Sequence, residues 1–209
     1  MPTKEIKISK LLENGIYFQC KMCGRCCRGF DEGEVYLYLD DIKRLAEKLN
    51  LKGKKGLRKF AEKYLKITSN TFYWVEPGEK SGKNYKVPTL GFKFIGDDEH
   101  CEFLGEDNRC TIYDAAPFQC HSFPFWQMMV SSPKNIKEYS EKCPGLRNMN
   151  NNGGRFYSRE EIYQWAKKEQ EIELEYFLKM KENNFDIYKV FPWLPRNLPI
   201  DEDLKGLIF

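Results

Sequence analysis

The sequence predicts an α+β protein: a small, irregular, β-rich cysteine-cluster core with flanking helices, then a long C-terminal helix and an extended tail. Three observations predict it. Apolar residues at helical spacing precede a stretch of strand-like alternation. Eight cysteines fall in two groups, one before that stretch and one that begins within it and ends beyond it. Beyond it, a capped helical run is followed by a proline-rich segment.

Taken in order, the opening run MPTKEIKISKLLENG lacks the apolar core of a signal peptide, and no apolar run reaches membrane-spanning length. A cytoplasmic protein is expected, in a compartment where thiols stay reduced and clustered cysteines hold metal more often than bridges. Glu34 to Leu39 alternates, with Val35, Leu37 and Leu39 on one face, as a half-buried strand does. Asp40 is placed to cap a helix whose Ile42, Leu45, Ala46 and Leu49 share a side. A Gly/Lys break at Lys52 to Lys55 separates it from a second amphipathic helix carrying Leu57, Phe60, Ala61, Tyr64 and Leu65.

From Thr71 to Val130 the pattern is β-rich and irregular. Leu90, Phe92 and Phe94 alternate, and CEFLGEDNRCTIY has the form of a hairpin around Gly105–Asn108. That register pairs Phe103 with Cys110 and Cys101 with Ile112. It makes Cys101 and Cys110 diagonal neighbours, too far apart for a disulfide. Asn148 to Gly154 is a polar linker. Ser158 and Glu161 form a capping box for a long helix reaching about Asn183. The tail, VFPWLPRNLPI, holds too many prolines for a helix or a central strand and is expected to lie extended over a surface. Residues 1–150 thus read as a cysteine-cluster metal-binding domain, and 151–209 as a helix and tail packed on the same domain.

A hydrophobic share of 41% suffices for a core, while a net charge of +3 gives no field that would point to nucleic acid. The basic stretch Lys52–Lys66 is read as a solvated helix face, and HSFPFWQMMV as a segment buried against the cysteines.

The first cysteine group, Cys20, Cys23, Cys26 and Cys27, runs C-x-x-C-x-x-C-C. Overlapping C-x-x-C turns curl the backbone so that three sulfurs face one point, as in the tri-cysteine loops of iron–sulfur proteins. Adjacent side chains diverge, so Cys26 and Cys27 suit two different centres. Gly24 fits a loop that must bend sharply. The second group is Cys101, Cys110, Cys120 and Cys143. Asp114 begins a capped turn that delivers Cys120, and Cys143-Pro144 has the Cys-Pro ending of cluster ligands. Eight thiols match two four-cysteine centres. His100 and His121 flank Cys101 and Cys120; either is a candidate extra ligand, His121 the one carried forward, but packing or surface roles are preferred.

These residues resemble a known family. Cys20-x-x-Cys23-Gly24-x-Cys26-Cys27, followed by CEFL, CTIY, APFQCHSFPF and CPG, resembles the CxxCxxCC cysteine-cluster (YkgJ-like) family, described as zinc- or iron-chelating and often labelled iron–sulfur. Flagellin lysine methylases look like relatives through the same pattern. The resemblance implies metal chelation by all eight cysteines and names no substrate. Where the family often shows Arg-Pro before the third late cysteine and Arg after it, this chain has Ala116-Pro117 and His121. Contacts made by those arginines do not carry over.

Three functions follow from different classes. The preferred one is an iron–sulfur protein with two 4Fe–4S clusters, acting in electron transfer to a protein partner or as a cluster-bearing subunit. A zinc-stapled interaction module is the second. A metal-dependent modifying enzyme is the third, although no G-x-G-x-x-G or P-loop fingerprint is present and the radical S-adenosylmethionine spacing C-x-x-x-C-x-x-C is not completed. Disulfides rank below all three.

Overall fold

The computed structural model describes residues 5–31, 33–147, 149–150 and 153–204, and helix and strand mix as an α+β protein. The expected linker Asn148 to Gly154 lies partly outside the described residues, at 148, 151 and 152. None of the described helices is long and apolar enough to cross a membrane.

Strand β1 (Ile16–Phe18) comes first, then β2 (Tyr36–Leu37) and helix α1 (Leu39–Lys48). The expected strand over Glu34 to Leu39 is cut short, because Leu39 already opens the helix. Val35 and Leu37 still point inward, at 6% and 0% exposure. At the helix start Tyr38 N–H donates to Asp41 Oδ2 at 3.2 Å, so Asp41 rather than Asp40 supplies the carboxylate. It does so from inside the first turn, where it also meets the positive end of the helix dipole. Ile42, Leu45 and Ala46 bury the expected face.

Helix α2 (Gly53–Tyr64) starts earlier than the Gly/Lys run suggested, and Lys54 and Lys55 lie in its first turn. Its Gly56 lies against the Leu51 backbone, where a Cβ would come within 2.6 Å of Leu51 O, so the chain tucks straight back into helix. Leu65 then begins β3 (Leu65–Trp74), which pairs antiparallel with β4 (Lys83–Phe92). These form one sheet in the order β2-β4-β3. Ile67 faces Leu90 and Phe72 faces Tyr85 across it. Pro88 sits in the central strand where β2 does not reach, so its missing N–H breaks no ladder. Two short strands follow, β5 (Phe94–Ile95) and β6 (His100–Cys101).

Past residue 112 the expected β-rich stretch gives way to short helices. These are α3 (Phe118–Ser122), α4 (Gln127–Val130), α5 (Pro133–Lys142) and α6 (Pro144–Arg147). Ser132 caps α5 by accepting from Asn135 N–H, with Pro133 in the first turn. Strand β7 (Arg155–Tyr157) then pairs back onto β1. Helix α7 (Arg159–Glu182) carries the expected Ser158/Glu161 capping box and ends at Asn183. A last short helix, α8 (Ile187–Val190), leads into the tail.

Two cores result. The larger gathers the three-stranded sheet, α1, α2, the far half of α7 and the tail. The smaller gathers the N-terminal segment, β1, α4, α5 and α6 with the near half of α7. Helix α7 belongs to both, giving Ile162 and Ala166 to the smaller core and Tyr176, Phe177 and Met180 to the larger. The tail, expected to lie extended over a surface, instead folds through turns at 192–193 and 196–197, with Leu194 N–H donating to Phe191 O at 3.0 Å, and reaches β3 at its end. Ile67 N–H donates to Pro199 O at 2.8 Å, and Ile200 bridges Ile67. Its own Phe191, Leu194 and Leu198 are buried in the larger core. HSFPFWQMMV places Phe125, Met129 and Val130 in the smaller core and leaves Met128 exposed.

Candidate metal centre

The first cysteine loop leaves β1 and is bent at Gly24, whose φ of +72° belongs to the left-handed region. A Cβ there would lie 2.5 Å from Arg28 Nη1. Arg28 fastens the loop. It donates to Gly24 O at 3.3 Å and, through Nε, to Asp98 Oδ2 at 3.0 Å in the turn before β6. Cys26 and Cys27 open a 3-10 turn, Cys26–Asp31, rather than an extended segment, and their thiols touch, so the expected divergence of adjacent side chains does not hold here. Cys20, Cys23 and Cys26 are exposed, while Cys27 is half-buried against the larger core.

The late cysteines come from three places. Cys101 ends β6, opposite Phe94, not Ile112. The hairpin register is one residue off the expected one. Leu104 bridges Cys110, and Gly105 N–H donates to Arg109 O at 2.8 Å, so the loop holds an extra residue. The diagonal placement of Cys101 and Cys110 therefore falls, since one step of slip reverses every side chain. Cys120 rides on α3, whose Phe118 N–H donates to Asp41 Oδ1 at 2.9 Å. Asp41 is thus the cap expected of Asp114, which instead pairs with Lys48. Arg44 donates to Ala116 O at 2.8 Å and Ala115 O at 3.3 Å, and pairs with Asp41. Neither Asp41 nor Arg44 stood out in the sequence. Both sit on α1 next to Asp40 and the apolar face, which alone were singled out there.

Cys143 follows α5, and α6 presses on the start of the first loop. A Cβ on Gly145 would lie 2.5 Å from Gln19 O. This close approach sets Cys143 beside Cys20 and Cys23. Gly145→Ala is expected to cost about 1–3 kcal/mol by forcing α6 off β1. Metal bound per chain should fall with it, as metal analysis beside thermal unfolding would show.

Electrostatically the thiols form two sets. Cys143 feels Cys23 and Cys20. Cys120 feels Cys101, Cys26 and Cys110. Cys26 is common ground, since it acts on Cys20 as well as on Cys101 and Cys110. Among the described residues no three His, Cys, Asp or Glu side chains close on one point at single-ion distance.

Burial raises the Cys20, Cys110 and Cys143 thiols, and like charges add to it. Cys101 is pushed up to about 12 by burial, then by Cys110. Cys26 is raised first by its contact with the Cys27 thiol and then by burial. Against this, a backbone N–H two residues on bonds the sulfur of Cys20 (from Met22), Cys101 (Phe103), Cys110 (Ile112) and Cys143 (Gly145, with Leu146). Such donors favour the thiolate. Facing thiols with aimed N–H groups, short of positive charge, are a donor set that suits a soft, thiophilic metal centre.

The two histidines each have another contact. His100 Nδ1 is 2.5 Å from Asp98 Oδ1, the carboxylate that Arg28 also holds. His121 meets the Tyr113 ring edge-on at 5.1 Å between centroids, and burial, then Arg44, lowers its pKa.

The model of the CxxCxxCC family, described as "Putative zinc- or iron-chelating domain", matches residues 19–183. No solved structure matches the chain.

Proposed function

Since the chain belongs to the CxxCxxCC family, whose description supports metal binding, we propose that it holds two 4Fe–4S clusters in the cytoplasm and hands electrons to a protein partner, or serves as the cluster-bearing subunit of a larger assembly. One observation carries the reading: four cysteines from four separate segments each receive a backbone N–H from two residues ahead, within two facing sets of thiols. Cys20, Cys23 and Cys143 would hold one cluster and Cys101, Cys110 and Cys120 the other. The Cys26–Cys27 doublet would supply the fourth sulfur of each.

When bound, such a cluster supplies a reversible electron-transfer step whose potential depends on hydrogen bonds to sulfur and on exposure. The chain's own part is to present thiolates and to solvate them with Met22, Phe103, Ile112 and Gly145 N–H. Arg28 ties the first loop to the β6 turn, and so one set to the other. Met22 and Tyr113 are exposed, at 49% and 59%, and Tyr113 lies close enough to feel Cys20, Cys110 and Cys120. They offer a partner an apolar contact beside the sulfurs.

Iron rather than zinc is favoured by the three-cysteine run and by the late cysteines coming singly, without the second C-x-x-C knuckle usual in closed zinc sites. The test is iron, zinc and acid-labile sulfide per chain, on protein purified without air. About eight iron and eight sulfide are expected for two four-iron clusters. Zinc without sulfide would overturn the electron-transfer reading and leave a metal-stapled interaction module.

A further inference from the structure

The chain's small net charge hides an uneven distribution. Between residues 52 and 63 lie six cations, Lys52, Lys54, Lys55, Arg58, Lys59 and Lys63, and one acid, Glu62. That segment alone is +5 against +3 for the whole chain, so the remainder is −2. All six cations are exposed. Arg58 pairs with Glu62 and Lys63 with Glu102, whereas among the described residues no carboxylate pairs with Lys52, Lys54, Lys55 or Lys59. A patch of this kind gathers anions at one place on the surface.

The charge sits where it weakens the fold. Lys54 and Lys55 occupy the first turn of α2, which holds no acidic residue. There the helix dipole is positive and cations are unfavourable. The same two lysines line a cavity of about 260 Å³ with Arg58, Pro192 and Trp193, where α2 faces the tail. Its apolar wall is fixed. Trp193 is half-buried against the larger core, with its ring 5.7 Å from that of Phe191, and proline holds its own φ.

Three cations would hold a simple anion without such a wall. An indole beside them suits a ligand that carries both phosphate and a flat ring, because bases stack on aromatic side chains while lysine and arginine hold the backbone. The charge also continues past the cavity. Lys59 lies one turn beyond Lys55, and the twelve residues of α2 span about 18 Å, room for several phosphates in a row. A free nucleotide would use the cavity alone, whereas a strand uses the row as well.

We propose that Trp193 and the α2 cations bind single-stranded nucleic acid, with one base stacked in the cavity on Trp193 and Pro192 and the phosphates tracked by Lys54, Lys55, Arg58 and Lys59. The site lies at the end of α2 away from the cysteine hairpin, which Tyr64 meets at Phe103 with 4.8 Å between ring centroids. It does not depend on which metal the thiols hold.

The experiment uses the full chain with its thiol-bound metal in place and a fluorescein-labelled oligothymidylate of about twelve nucleotides, followed by fluorescence anisotropy. Binding is expected at low salt and should weaken roughly twentyfold between about 50 and 200 mM salt, as about three phosphate contacts require. Lys54→Gln combined with Lys55→Gln, both on the surface, should weaken it about tenfold or more and flatten the salt dependence. Trp193→Leu should weaken it about fivefold or more and leave the salt dependence as it was, since stacking is lost and no charge is. Circular dichroism and metal content check the folding of each variant, and if Trp193→Leu does not fold the lysine variant decides. No binding at low salt would overturn the proposal, as would full affinity in the lysine variant or in a folded Trp193→Leu chain. Displacement of the strand by an equal concentration of ATP would make this a site for free nucleotides, and displacement by polyglutamate of the same length a site for an acidic protein. Either result overturns it.

Discussion

Replacing Cys23 with serine is expected to remove about half of the chain's metal and to lower its stability in the same step. Cys23 lies in the loop that Gly24 bends and Arg28 fastens, and it belongs with Cys20 and Cys143. A serine hydroxyl is a far harder donor than a thiolate, so one lost sulfur should release the whole group it helps hold. Metal binding contributes directly to folding free energy, and irregular segments such as this loop depend on it most. Cys143→Ser, 120 residues away in sequence, should lose the same half. Cys101→Ser and Cys120→Ser should lose the other half and leave a different residual spectrum. Metal per chain by elemental analysis, beside thermal melts, reads the pattern. Full metal content in Cys23→Ser would defeat the assignment.

The second large effect lies far from any sulfur. Phe177 of α7 is 2% exposed and touches the rings of Phe72, Trp74, Tyr85 and Phe185, with centroids 5.3–6.0 Å apart. Phe177→Ala should cost about 3–5 kcal/mol, for lost burial and for a cavity that four aromatic neighbours cannot easily fill. For a chain of this size that is a fall in Tm of roughly 6–20 °C. A change under about 1 kcal/mol would mean that the larger core does not depend on α7 for its closure.

The elements that local rules govern were legible. The Ser158/Glu161 box and the Asn183 end of α7 need only neighbours in sequence, and so do the apolar faces of α1 and α2. That the tail is neither a long helix nor a central strand followed from what proline forbids, but its turns did not. What failed was settled by distant partners. Asp41 was hidden because the second of its two tasks, accepting from Phe118 N–H, joins residues 77 apart. The hairpin slipped because Gly105 and Arg109 close a longer loop than turn chemistry alone suggested.

Of the candidate centre, the eight cysteines could be read as two groups along the sequence, but the fold regroups them and sets Cys143 beside Cys20 and Cys23. Cys143 joins Cys20 through the contact of Gly145 with Gln19 O, and a spacing of more than a hundred residues carries no trace of that.

The pairing of β1 with β7 has a bearing on when the protein can be completed. Ile16 waits for Tyr157 and Phe18 for Arg155, while the first cysteine loop hangs directly from β1. During synthesis the chain emerges N-terminus first, and contacts between distant segments form last. For much of translation the C-x-x-C-x-x-C-C loop would therefore leave the ribosome with neither Cys143 nor the strand that anchors it. Its thiols would be open to the wrong metal or oxidant until three quarters of the chain had been made. A nascent chain arrested before β7 should thus show those thiols fully reactive to alkylation, and release past Tyr157 should mark the moment at which they become protected.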